Sequence, residues 1–300
     1  TTSNTIFIFC IFGNIKNFTC MMKKELHKFI KNALKEDIGD GDHSSLATIQ
    51  RNIKSKAQLL IKDKGIIAGI KLAEMIFKTV DNNLKIITNV DDGDKVSNGD
   101  IAFIVEGSCI SILTAERLVL NCMQHMSGIA TKTFHLNCLI SDTKCKLLDT
   151  RKTTPLNRII EKWAVKIGGG VNHRFGLYDM IMIKDNHIDF AGGISESITK
   201  TKKYLSKNNK QLEIIVESRS IDEVKQILNE TGVKRIILDN FDFETTKNAV
   251  SIINGKCEVE SSGGINEGNI AEYAKCGVDF ISVGALTHSS NNFDLSLKAL

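Results

Sequence analysis

The stretch "LLDTRKTTPLNR" (147–158) sets Arg151 and Lys152 among three hydroxyls, Thr150, Thr153 and Thr154, directly behind an apolar run that stops at Asp149. Its Pro155 is the one proline in 300 residues. Downstream, "GGGVNHRFGL" (168–177) brings His173 and Arg174, and "IMIK" ends on Lys184. Further apolar runs end at Glu217 ("IIVE"), Asp239 ("IILD"), Glu260 ("EVE") and Gly284 ("ISVG"). Guanidinium forks match carboxylates and phosphates in bidentate fashion, so Arg151, Lys152, His173, Arg174 and Lys184 describe a site for a polyanion. Carboxylates beside phosphates suit Mg²⁺, which takes a few acidic oxygens plus substrate oxygens and water; Glu217 and Asp239 are the candidates. Two glycine turns, "SSGGI" (261–265) and "SVGALTHS" (282–289), offer backbone N–H groups as a phosphate nest. The nest residues are Ser262, Gly263 and Gly264 in one turn, and Val283, Gly284 and Ala285 in the other.

These residues need elements to position them. In the second half, apolar strands recur roughly every 20 residues with helix-patterned segments between, the rhythm of parallel β/α architecture. "IDEVKQILNETG" and "EGNIAEYAKCG" are two such helices, each with Gly where a C-cap belongs. With "KLLD" and "MIMIK" upstream, at least six strands follow, and a parallel α/β barrel is expected. No G-x-G-x-x-G opens a helix after the first strand, so the pattern is not a dinucleotide fold. In such barrels the chemistry sits at the strand ends.

The first half reads differently. Apolar spacing predicts an amphipathic helix over 24–38, and "EDIGDGDHSS" (36–45) ends it as a turn, since the closing Glu of a calcium loop is missing. Short β-like runs between 57 and 110 alternate with "DKG", "DDGD" and "SNGD", and a helix over 71–80 is inserted among them. A long helix follows over 113–140 with Thr114 as its expected N-cap. The expected organisation is an α+β sandwich domain over 22–128, with residues 288–300 a candidate to pack on it, and a barrel over 129–287.

Residues 1–21 are expected to be a leader or extension outside the fold. Their "TIFIFCIF" run is too short to span a bilayer, where about 20 residues are needed, and it lacks a secretory n-region. The charge balance, 39 basic against 35 acidic residues for a net +4, excludes a nucleic-acid footprint. Eight cysteines without a C-x-x-C pair read as reduced thiols of a cytoplasmic protein.

"DTRKTTP", "EKWAVKIGGGVNHRFGLYDMIMIKDNHI", "ILDNF" and "VESSGGI" resemble, in order and spacing, the quinolinate phosphoribosyltransferase family. "EDIGDGD" and "AERLVLNCMQHMSGIAT" (115–131) are similar to its N-terminal half, and the likeness runs from about residue 22 to the end. Three places depart from the family pattern: Leu156 stands where a Gly usually follows the proline, Asn157 where an apolar residue is common, and "GDHS" (41–44) where the family has "GDIT". The resemblance implies transfer of a phosphoribosyl group from its diphosphate to quinolinate, with Mg²⁺, giving nicotinate mononucleotide, diphosphate and CO₂. It further implies substrate-binding roles for Thr150 to Lys152, His173, Arg174, Lys184, Glu217, Asp239 and both glycine turns, with Lys152, Lys184, Glu217 and Asp239 catalytic. It puts Arg117 at the substrate of a neighbouring subunit, making a homodimer with shared sites. The alternatives are a relative acting on a monocarboxylate, which would need fewer cations, and a phosphate-binding barrel without turnover.

Overall fold

The computed structural model describes residues 15–300, with side chains from Lys23 onward. The chain divides into two compact units. One gathers residues up to Lys132 with Thr154–Gly168 and Ser290–Leu300; the other comprises Thr133–Thr153 and Gly169–Ser289. The segment 154–168, expected within the barrel, thus clusters with the first unit.

The first unit opens with α1 (Ile15–Ile38) and α2 (His43–Thr48), followed by β1 (Lys54–Ile61), β2 (Gly65–Ile66), α3 (Ile70–Val80), β3 (Lys85–Thr88), β4 (Lys95–Val96) and β5 (Ile101–Ser108). α1 begins well before residue 24, so residues 15–21 of the expected extension are helical. Residues 1–14, the rest of the expected leader, lie outside the described residues. α4 (Cys109–Leu139) starts five residues before Thr114, whose hydroxyl is inside the helix and donates to Asp42 Oδ2 at 3.1 Å instead of capping. The four-stranded sheet has the order β12-β1-β5-β3, where β12 (Leu295–Ala299) comes from the chain's last residues and runs antiparallel to β1. Its core is apolar at the alternating strand positions, with Phe77 of α3 meeting Phe103 of β5 edge to face at 5.8 Å.

The second unit is the parallel one. Its strands are β6 (Lys146–Leu148), β7 (Ile181–Ile183), β8 (Ile214–Ser218), β9 (Val233–Asp239), β10 (Glu258–Ser262) and β11 (Phe280–Ser282). Between β6 and β7 lie α5 (Arg158–Ile167), which clusters with the first unit, and the segment through Val171, which bridges Leu148 in parallel. The other connections are helical: α6 (Asp185–Ala191), α7 (Ile194–Lys207), α8 (Ile221–Leu228), α9 (Phe243–Ile253), α10 (Ile270–Lys275) and α11 (Ala285–His288). Strand order is β6-β11-β10-β9-β8-β7, all parallel, the α/β barrel the strand rhythm predicts. Met180, Ile215 and Ile237 form its apolar centre, with Met182 packed against them. The same inward parity carries Lys184, Glu217, Asp239 and Ser262 to the carboxyl ends of the strands. Among the described residues no helix is long and apolar enough to cross a membrane.

Candidate active site

The charged mouth is built by two carboxylates that the sequence reading did not single out. Asp149, fully buried at the end of β6, accepts the backbone N–H of His173 at 2.8 Å and the Asn172 amide at 2.6 Å. Asp179 accepts the Phe175 and Gly176 N–H groups at 2.6 and 2.8 Å. These anchors fasten the 172–179 loop at both ends, and it presents Arg174. The only signal for Asp149 in the sequence is a charge placed where an apolar run stops.

Arg174 is 6% exposed, and its partners are weak for a guanidinium. One terminal nitrogen donates to the Met180 carbonyl at 3.4 Å, the other reaches Met182 Sδ at 3.5 Å, and the buried Nε has no partner. Burial holds its pKa below the usual arginine value, and the like charge of Arg151 adds to that; Asp179 and Glu217 oppose it. A desolvated cation beside another cation is poised for an anion.

On the next strand end, Lys184 Nζ donates to Glu217. Burial pushes the Glu217 carboxyl up, Lys184 pulls it back, and the charges of Asp239 and Asp185 push it up again. Asp239, last in β9, sits in register with Ser262 of β10, and Asn240 donates to its Oδ2 at 3.0 Å. A carboxylate whose ionisation a second carboxylate opposes fits a divalent cation beside it. Among the described residues no cluster of three or more ligating side chains forms a protein-only metal cage. Mg²⁺ needs none, because it is held by one or two carboxylates with substrate oxygens and water.

The glycine turns differ. Gly263 has φ +94°, and a Cβ there would collide with the Asn240 side chain, so only glycine lets this backbone pass so close. Its neighbour Gly264, at φ +62°, faces open space. In the second turn the Val283 N–H donates to the Leu148 carbonyl at 3.0 Å as part of the barrel ladder, which leaves the next two N–H groups of the expected phosphate nest. Gly284 and Ala285 remain for that role. Lys152 crosses above Gly284, where a Cβ would lie 3.0 Å from Lys152 Cδ. Thr287, absent from the sequence reading, fixes this approach by donating to the Lys152 carbonyl at 2.8 Å. Thr150 Oγ1 accepts the Lys152 N–H at 3.0 Å, which tightens the turn carrying Arg151 and Lys152.

His173 stands beside Arg174 in this loop. It is buried, its Nδ1 accepts the Arg174 N–H at 2.6 Å, and its Nε2 lies 3.5 Å from Glu260 Oε2. Arg117 is exposed on α4 in the first unit.

Both halves of the chain match models of one family. The profile described as quinolinate phosphoribosyl transferase, N-terminal domain, matches residues 42–127, and its C-terminal domain matches residues 129–298. The chain is 45% identical to quinolinate phosphoribosyltransferase [decarboxylating] 2b, mitochondrial, of Nicotiana tabacum, over 91% of this chain and 82% of that one. It is 36% identical to the probable nicotinate-nucleotide pyrophosphorylase [carboxylating] of Bacillus subtilis, covering 91% and 93%. Among solved structures, the nicotinate-nucleotide pyrophosphorylase of Francisella tularensis superposes with a TM-score of 0.84 at 39% identity, covering 92% of this chain and 96% of that one.

Proposed function

This chain belongs to the quinolinate phosphoribosyltransferase family, and from that premise we propose how its barrel mouth performs the family reaction. The protein is a phosphoribosyltransferase of NAD biosynthesis: quinolinate and phosphoribosyl diphosphate give nicotinate mononucleotide, diphosphate and CO₂. The observation that carries the residue-level reading is the buried guanidinium of Arg174, which has no carboxylate partner and lies near a second cation, Arg151.

Arg151, Lys152, Arg174 and Lys184 would bind the two carboxylates of quinolinate and orient its ring nitrogen toward the sugar. Gly263, Gly264, Gly284 and Ala285, with Ser262, would hold the 5-phosphate through backbone N–H groups. Glu217 and Asp239 would hold Mg²⁺, which when bound neutralises charge on the departing diphosphate. Release of the diphosphate leaves an oxocarbenium-like sugar carbon, so positioning and fixed charge do most of the work. Lys184 and Glu217, already paired, keep their charges close to that carbon. Once the ring nitrogen is alkylated, its positive charge stabilises the electron pair left on the adjacent carbon when the carboxylate departs as CO₂, and that pair then takes a proton. No side chain is required as general base for that step.

The oligomer is a proposal of the same kind. Arg117, exposed on α4, would complete the site of a second copy in a homodimer with shared sites. Mixing inactive Arg117→Ala with inactive Lys184→Ala should restore activity through heterodimers with one intact site. Six free thiols among the described residues suit a reducing compartment, and we place the protein in the cytoplasm on that ground. The decisive assay incubates the protein with quinolinate, phosphoribosyl diphosphate and Mg²⁺ and measures nicotinate mononucleotide. Equal turnover of nicotinate under the same conditions would overturn the dicarboxylate reading.

A further inference from the structure

We infer that Asn240 is a positioning residue: its amide holds the Asp239 carboxylate and abuts the Gly263 turn, so one side chain sets the proposed cation and phosphate subsites together. The backbone comes first. β9 ends at Asp239, and Asn240 leaves the strand with φ +57°, in the left-handed region that asparagine tolerates better than most residues. Its N–H still donates to the Ser262 carbonyl at 2.8 Å, one step beyond the register pair of Asp239 and Ser262. Asn240 is thus tied to the residue that immediately precedes Gly263.

The left-handed step decides where the side chain goes. Successive side chains on an extended strand point to opposite faces, so an amide that continued β9 would point away from Asp239. Here it turns back, and Nδ2 donates to Asp239 Oδ2 at 3.0 Å. A carboxylate only accepts, so the NH₂ end of the amide has to face it and the carbonyl end has to face the other way. On that other side lies Gly263. A Cβ there would come within 2.6 Å of Asn240 Cγ and 3.0 Å of the Asn240 backbone nitrogen, and Gly263 itself stands at φ +94°. The amide therefore fills the space between carboxylate and turn, while Asp239 Oδ1 takes no part in this bond and is left for a cation. The donor substrate gives the spacing its meaning. Phosphoribosyl diphosphate carries its 5-phosphate and its diphosphate on one five-membered ring, so the turn and the cation site have to keep a fixed separation. Groups that orient a ligating carboxylate from behind typically contribute about 10–100-fold to metal affinity.

The inference rests on the proposed roles of Asp239 and the glycine turn, and it is tested by binding without turnover. The dissociation constant of phosphoribosyl diphosphate is measured by calorimetry on the full chain, with Mg²⁺ and with a chelator, quinolinate being left out. The ratio of the two values is the Mg²⁺ gain. A wild type without any gain would overturn the cation reading, and this inference with it. Given a gain, Asn240→Gly keeps the left-handed backbone, loses only the amide, and should cut the gain about tenfold. Asn254→Gly, the same exchange at the left-handed C-cap of α9, should leave it within about twofold of wild type. Gly263→Ala, whose methyl group displaces the amide, should also cut the gain. The double variant should then lose no more than about twofold beyond Asn240→Gly. An intact gain in Asn240→Gly would mean that asparagine serves only the backbone there. Losses that multiply in the double variant would mean that the turn reaches the cation by another route. Either result overturns the inference. Thermal melting checks that each variant is folded, and if Gly263→Ala is not, Asn240→Gly against Asn254→Gly decides.

Discussion

Arg235 at the barrel floor and Arg174 at its mouth are buried to nearly the same degree, 9% and 6% exposed, yet they live in opposite electrostatic conditions. Arg235 shares two carboxylates and lies flat on an aromatic ring. Arg174 has a carbonyl, a thioether and a buried Nε without a partner, and a second cation nearby. Burying a charge is tolerable when it is paired and hydrogen-bonded, and otherwise several kcal/mol must come from elsewhere. The floor is closed, so its ions serve the fold. The mouth is open, and the missing partner is the substrate's.

The largest expected effect breaks the open half. Replacing Arg174 by Met removes a desolvated cation and fills its space with an apolar chain of similar length. The expected outcome is a fall in kcat/KM for quinolinate of about 10²–10³-fold, with a melting temperature unchanged or raised. A variant that melts well below wild type would show that Arg174 is structural, like Arg235. The carboxylate side of the mouth is tested by chelation: turnover should vanish in a chelator and return with Mg²⁺. Glu217→Gln should then need about tenfold more Mg²⁺ for half-saturation, because one anionic ligand is gone.

The closed half should respond in stability. Glu260→Ala strips Arg235 of one carboxylate and leaves a buried charge underpaired, and the expected loss is about 3–5 kcal/mol in denaturant unfolding. A loss under about 1 kcal/mol, the range of exposed ion pairs, would mean that water reaches the floor and that the two regions do not differ as described.

Much of this was legible in the residues. The strand rhythm gave the parallel barrel because each buried strand is a short apolar run closed by a turn residue, and the charged ends of those runs marked the mouth. Lys184, Glu217 and Asp239 all lie where their positions in the pattern put them. What sequence could not separate was open from closed charge. His173 and Arg174 look alike as neighbours in a loop, but only the fold shows that the imidazole Nε2 lies 3.5 Å from Glu260 Oε2. Val283 belonged to a glycine turn by spacing, and only the ladder shows that its N–H is already taken. The start of α1 was missed because the residues before 24 lack the clean polar and apolar alternation of those after it. Helix α5 follows the clamp directly in sequence yet clusters with the first unit, and nothing in its periodicity announces that.

A closed pair in the first unit sharpens the contrast at smaller scale. Glu161 is fully buried; it accepts from Thr154 N–H and contacts His125 Nε2 at 3.0 Å. The hydrogen bond to Glu161 raises the His125 pKa above 6.5, with burial opposing. A raised folded value means the pair's contribution is complete below the unfolded value near 6.5, and is lost as pH rises through the folded one. Stability should therefore decline from about pH 6.5 upward by about 1 kcal/mol, and His125→Gln should flatten that decline. An unchanged slope in the variant would assign the pH dependence to other groups.

The smallest effect concerns the turn that leaves the clamp. Asn157 N–H donates to the Thr154 carbonyl at 3.1 Å, Pro155 takes the second place, and Leu156 the third with φ +66°. This is a type II turn, whose third position needs positive φ and so favours glycine. Leu156 is 94% exposed, so its side chain gains almost nothing from burial. Holding a Cβ in the left-handed region costs roughly 1–2 kcal/mol, while glycine gives back about 0.5–1 kcal/mol through the freedom of its unfolded chain. Leu156→Gly should then stabilise the protein by about 0.5–1 kcal/mol, and Leu156→Ala, which keeps the Cβ, should not. The two are compared by urea unfolding at one pH. If the glycine variant is no more stable than the alanine variant, the turn carries no strain, and the departure from the family's glycine has no energetic consequence here.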